Sequence, residues 1–205
     1  MELSLLSVLL FGLLLGVTHA LEPDHVAAVS TMAGENKKLF RSSLTGVFWG
    51  IGHTLTLFVI GIVVILLKTN IPGILQSSFE FFVGIMLVLL GAMSIFTYNK
   101  DHNHSHVHKN RIYHKATIIG IIHGLAGSGA MVVTTMASVD TAAQASLYIL
   151  LFGAGTVIGM QLFSTIIALP FILGRKNLTL HSSLTKMVSA FSILYGCYHM
   201  YSVVS

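Results

Sequence analysis

Six apolar runs dominate the chain, at about residues 3–21, 43–67, 79–98, 116–139, 142–173 and 183–204. Each is close to or beyond the ~20 residues that a helix needs to cross a ~30 Å hydrocarbon core. Nothing else in the sequence narrows the fold as sharply. A water-soluble domain carries roughly a quarter charged residues. Here 9 % are charged and 54 % hydrophobic, too few charges to clothe a globule of 205 residues. The same balance excludes a disordered chain, which needs low hydrophobicity and many charges. A single cysteine excludes a disulfide framework and a cysteine-based zinc module. The net charge of +4 does not point to nucleic acid, because the basic residues lie between the apolar runs. The expected fold class is an all-α integral membrane protein with six transmembrane helices. Met1-Glu2 brings no positive charge ahead of the first run, so that run reads as a retained span and not a cleaved signal.

Lys and Arg set the orientation. Lys37, Lys38, Arg41, Lys100, Lys109, Arg111, Lys115, Arg175, Lys176 and Lys186 fall at one side of such a six-span chain, and Lys68 at the other. Both termini are then expected outside, with loops 1–2, 3–4 and 5–6 in the cytoplasm of a bacterial-type cytoplasmic membrane. The two halves also repeat. Residues 16–33 and 120–137 align without a gap, and His19 falls on His123. Further on, Trp49-Gly50-Ile51-Gly52-His53 falls on Phe152-Gly153-Ala154-Gly155-Thr156, and Gly91 on Gly196. Three spans per half is an odd number, so the halves are expected to be inverted, an arrangement of transporters with a site near the midplane. The division expected is a first three-helix repeat at 1–99, a His-rich loop at 100–115 and a second repeat at 116–205.

Polar groups interrupt the first run. His19, Glu22, Asp24 and His25 lie within the apolar stretch from Leu3 to Ala33. Ionisable groups at membrane depth are costly, and they mark ion or substrate pathways. On an unbroken helix of ~100° per residue, His19, Asp24 and His25 do not converge, whereas His19, Glu22 and His25 do. Pro23 removes a backbone donor and disfavours helical geometry at Glu22, so a first helix broken near Pro23 is expected. Imidazole with carboxylate suits late first-row divalent metals. His53 in the second run, among Gly50, Gly52, Thr54 and Thr56, is a further candidate ligand, and His123 is the repeat mate of His19. The positions that match Asp24 and His25 hold Ser128 and Gly129, so the first half is expected to supply most of the site. His102, His104, His106 and His108 occupy alternate positions in loop 3–4, an accessory metal-binding tract. His181 and His199 stand apart near span ends and read as structural or solvated.

These residues carry a resemblance. HALEPDHVAAVST at 19–31 resembles the HX4DH signature of the nickel/cobalt transporter family, and GIGHTLTLF at 50–58 resembles its second signature. HGLAGS at 123–128 and FGAGTVIGM at 152–160 are similar to the short six-span, urease-accessory members. The resemblance implies a permease, not an enzyme, that moves nickel first and cobalt second, typically inward with high affinity. It implies that His19, Asp24, His25 and His53 carry the metal; Glu22 and His123 are expected beside them from their positions in the sequence. The metal ion is then cargo, with no prosthetic group. The expected partners are the ion, the lipid bilayer and nickel-enzyme maturation proteins, and no nucleic acid. The His-rich loop also resembles nickel/cobalt efflux relatives, which keeps efflux through the same site as an alternative. A small-anion exporter would need Lys or Arg inside the spans, and only Lys186 is there. No phosphate-cradling P-loop is present, so ATP hydrolysis is not expected.

Overall fold

The computed structural model describes residues 5–34, 38–67, 71–100, 109–138 and 141–205. Every regular element among them is helical. Helix α1 covers Leu5–His19, α2 Pro23–Ala33, α3 Leu39–Leu67, α4 Gly73–Lys100, α5 Lys109–Ser138, α6 Ala142–Leu173 and α7 Leu178–Val204. Local chemistry sets several ends. Thr141 accepts from the Gln144 amide at the start of α6, and Asn177 does the same for Leu180 at the start of α7. α6 runs unbroken through Pro170 to Leu173, and a single 3-10 turn, Gly174–Lys176, leads to α7.

The first apolar run is bent. α1 ends at His19, and α2 restarts at Pro23 at an angle of 54°. Glu22 between them is extended, with φ −58° and ψ 143°, as a residue ahead of proline should be. Among the described residues, four helices, Leu39–Leu67, Gly73–Thr97, Ala142–Lys176 and Leu178–Val204, are long and apolar enough to cross a membrane, and the bent pair makes a fifth if taken as one span. α5 has the length of a span but is the least apolar of the long helices, with Lys109, Arg111 and Lys115 in its first two turns. The outward faces carry large apolar side chains, including Leu14, Leu55, Phe82, Ile118, Leu162 and Leu194. In water that surface would be unstable, and against lipid tails it is matched.

The most extensive helix pairings all join one half of the chain to the other: α3 with α5, α3 with α6, α4 with α7 and α1 with α6. They exchange when the halves are exchanged. A Cβ on Gly16 would meet the Phe152 carbonyl and the Thr156 amide, and a Cβ on Gly120 would meet those of Trp49 and His53. Gly52 faces Thr117 and Ile121 as Gly155 faces Leu13 and Val17. Gly196 lies on Gly84 as Gly91 lies on Ser189. Small residues allow such backbone-on-backbone approach between membrane helices, where dispersion and interhelical hydrogen bonds replace the hydrophobic effect. Thr54 donates to the Gly153 carbonyl, Thr56 to that of Ile121 and Ser192 to that of Leu87, tying the same seams.

Candidate metal centre

The bend in the first run builds the centre. His19 is the last residue of α1, while Asp24 and His25 lie in the first turn of α2. The interruption rotates α2 so that these three converge, which a straight helix would not allow. The α2 N-terminus also places the positive end of the helix dipole near Asp24. α3 supplies His53, and α5 supplies His123. Both can approach because α3 and α5 pack through glycine: Cβ atoms at Gly120 and Gly124 would meet the His53 amide and carbonyl.

Asp24 lies between two imidazoles. Its Oδ2 is 2.7 Å from His123 Nε2, and its Oδ1 is 3.0 Å from His25 Nδ1. His19 Nε2 is 3.1 Å from His53 Nε2, and His19 Nδ1 is 2.8 Å from the Glu22 carboxylate. One consistent set of tautomers follows from giving each contact a single donor. His25 Nδ1–H and His123 Nε2–H donate to Asp24, His19 Nδ1–H donates to Glu22, and His53 Nε2–H donates to His19. Among the described residues, the buried His25 Nε2, His53 Nδ1 and His123 Nδ1 then have no hydrogen-bond partner. Such orphaned lone pairs are costly in a dry interior. Each is a free lone pair that a cation could take.

All six candidates from the first, second and fourth runs are therefore brought together. His25, His53 and His123 are fully buried, and His19 and Asp24 are partly buried. Glu22 differs: its side chain is half exposed and touches the cluster through His19, as a residue that orients a ligand does. His102, His104, His106 and His108 lie outside the described residues. His181 and His199 lie elsewhere, with His181 against Phe171 and His199 against Tyr195.

Two aromatic neighbours were not singled out in the sequence. Trp49 stacks on His25 with ring centroids 5.7 Å apart and also borders His123, while Phe152 borders His19 at 5.3 Å. They fall on one another when the two halves of the sequence are aligned. An aromatic residue at the same place in both halves, one turn before His53 and its counterpart Thr156, was the available signal.

Over 98 % of its length the chain is 46 % identical to the urease accessory protein UreH of Bacillus sp. (strain TB-90), and covers 94 % of that protein. It belongs to the UreH family. The match bears out the resemblance to the nickel/cobalt transporter family and places the chain among permeases, not enzymes. The chloroplast proteins FOR GROWTH AND FERTILITY 1 and 2 of Arabidopsis thaliana are also similar, 28 % and 25 % identical over 76 % of this chain. The UreH-type chain spans about half the length of those plant proteins (48 % and 45 %). No family model matches the sequence, and no solved structure does.

Proposed function

We infer that this protein is a multi-pass permease that carries divalent transition metal ions, nickel first and cobalt second, into the cytoplasm. The observation that carries the reading is the buried Asp24 carboxylate held between His25 and His123, with the His19–His53 pair against His25. Imidazoles with one carboxylate form a borderline donor set that suits Ni2+ and Co2+ over Mg2+ or Ca2+. A centre of imidazoles and carboxylates suits a cation, which speaks against an anion exporter. Ligating nitrogens must be unprotonated, so acidification weakens binding.

The UreH relative supports nickel, the metal of urease, as cargo and urease maturation proteins as its recipients. Six spans as two inverted repeats are supported by the exchange of helix contacts between the halves. In this arrangement α5 is the fourth span, both termini lie outside, and the accessory loop with His102, His104, His106 and His108 faces the cytoplasm, where it collects arriving metal. Its likeness to the loops of efflux relatives favours export as the second reading.

Radioactive nickel flux decides between them in metal-starved cells carrying the wild-type chain, a His25→Ala chain or empty vector. Accumulation above vector, lost in His25→Ala, is the expected result. Accumulation below vector, again lost in the variant, would reverse the direction. No difference between wild type and vector would remove nickel as the cargo.

A further inference from the structure

We propose that the centre is two overlapping ion stations that share His25 and are filled one at a time. The proposal rests on the metal-transport reading above. Among the described residues, the close ligand sets at the centre are two triplets: His19, His25 and His53, and Asp24, His25 and His123. Within each triplet the ligand atoms lie within 4.8 Å of one another. An ion with bonds of about 2.1 Å holds its ligand atoms roughly 3–3.5 Å apart, so either triplet closes on an ion with small side-chain shifts.

His25 is the hinge of this arrangement. Its ring centroid lies 4.2 Å from His123, 4.6 Å from His19 and 5.1 Å from His53, whereas His53 and His123 are 6.2 Å apart. A neutral imidazole has one lone pair to give a metal. His25 therefore completes one triplet or the other, never both. An ion passes from station to station by keeping His25 while it exchanges His19 and His53 for Asp24 and His123. Trp49 stacks on the His25 ring and limits where it can swing.

The stations also differ in chemistry and in origin. The first is all imidazole and comes from α1, α2 and α3, within one half of the chain. The second adds a carboxylate and bridges the halves, because His123 stands on α5. A displacement of α5 relative to α2 thus assembles or opens the second station and leaves the first intact. Charge favours the second station for a divalent ion, so the exchange has a direction that the movement can reverse.

The test uses the purified full-length protein in detergent with Ni2+ alone as the probe, in a background where His102, His104, His106 and His108 are replaced by Ala so that the loop takes no metal; that background is the wild type of the comparison. Calorimetry gives the stoichiometry, and nickel K-edge absorption gives the ligand types. The wild-type protein is expected to bind one ion. His53→Ala removes the first station and His123→Ala the second, so each should still bind one ion at reduced affinity. Their spectra should differ, with a carboxylate component in His53→Ala and imidazole-dominated ligation in His123→Ala. His25→Ala should bind none. Gel filtration checks folding, and His53→Gln and His123→Asn repeat the comparison with conservative side chains. Two ions on the wild type, equal abolition by all three alanine variants, or identical spectra in His53→Ala and His123→Ala would each overturn the proposal. Absence of nickel binding by the wild type would overturn the transport reading itself, a different result from any of these.

Discussion

Residues 16–33 and 120–137 begin from one pattern and fold into different objects. In the second half, α5 runs continuously from Lys109 to Ser138. In the first half, the helix stops at His19, turns through 54° and restarts at Pro23. Eleven of the eighteen positions differ, but the proline and the ionisable residues that one half has and the other lacks fall in a single block: Glu22-Pro23-Asp24-His25 stand where the second half has Ala126-Gly127-Ser128-Gly129. Pro23 supplies the break, and the break converts a helical face into a convergent set of ligands. Elsewhere the halves pack alike, glycine for glycine. A shared scaffold thus carries an unshared site, and four consecutive residues account for most of the difference.

The contrast can be attacked directly, and the largest effect is expected at Asp24. Asp24→Asn keeps the shape and removes the charge between His25 and His123. Nickel flux should fall to the vector level, and appreciable flux would show that the carboxylate does not bind the ion. Pro23→Ala restores the missing backbone donor and allows helical geometry at Glu22. It should cost at least about tenfold in nickel affinity by misorienting the ligands, with a gain in helical circular dichroism. Unchanged affinity would mean that the bend is set by packing and not by proline. Glu22→Gln leaves His19 a hydrogen-bond acceptor, so a smaller loss is expected, about tenfold at the lower end of the range for groups that orient ligands. A loss as large as that of Asp24→Asn would place Glu22 on the ion itself.

Gly16→Ala and Gly120→Ala probe what the halves share. Each new methyl meets backbone across its seam, and overpacking of this kind costs about 1–3 kcal/mol. The two variants should lose similar stability in thermal melting, and a large inequality would break the equivalence of the seams. Deleting residues 102–108 should have the least effect, leaving most nickel flux in uptake assays. Complete loss would make the loop essential to the pathway.

Much of this was legible in the sequence because membrane folding leaves few choices. Long apolar runs became helices, and Pro23 broke the first of them where its missing donor and its clash with Glu22 require. His19, Asp24, His25 and His53 could be picked out because ionisable groups are rare at such depth. Among the described residues, helix length and apolarity give four helices with the bent pair as a fifth, and the six spans expected from the sequence go beyond that count. The role of Glu22 was not fixed either. Spacing allowed it to be a ligand on a straight helix, and only the bend shows it on the far nitrogen of His19. Trp49 and Phe152 were hidden for another reason: an aromatic ring in an apolar helix gives no sign of which face it turns to a histidine.

The orphaned nitrogens of His25, His53 and His123 also bear on how long the protein survives in a cell. Each buried polar atom without a partner costs the folded chain about 1–3 kcal/mol. A bound ion repays part of it in the folded state alone, and mass action then lowers the fraction unfolded. Since proteases act on unfolded chains, a transporter well supplied with its cargo is degraded more slowly than one that is starved. Abundance in the membrane would follow metal supply after synthesis, without any regulator of the gene.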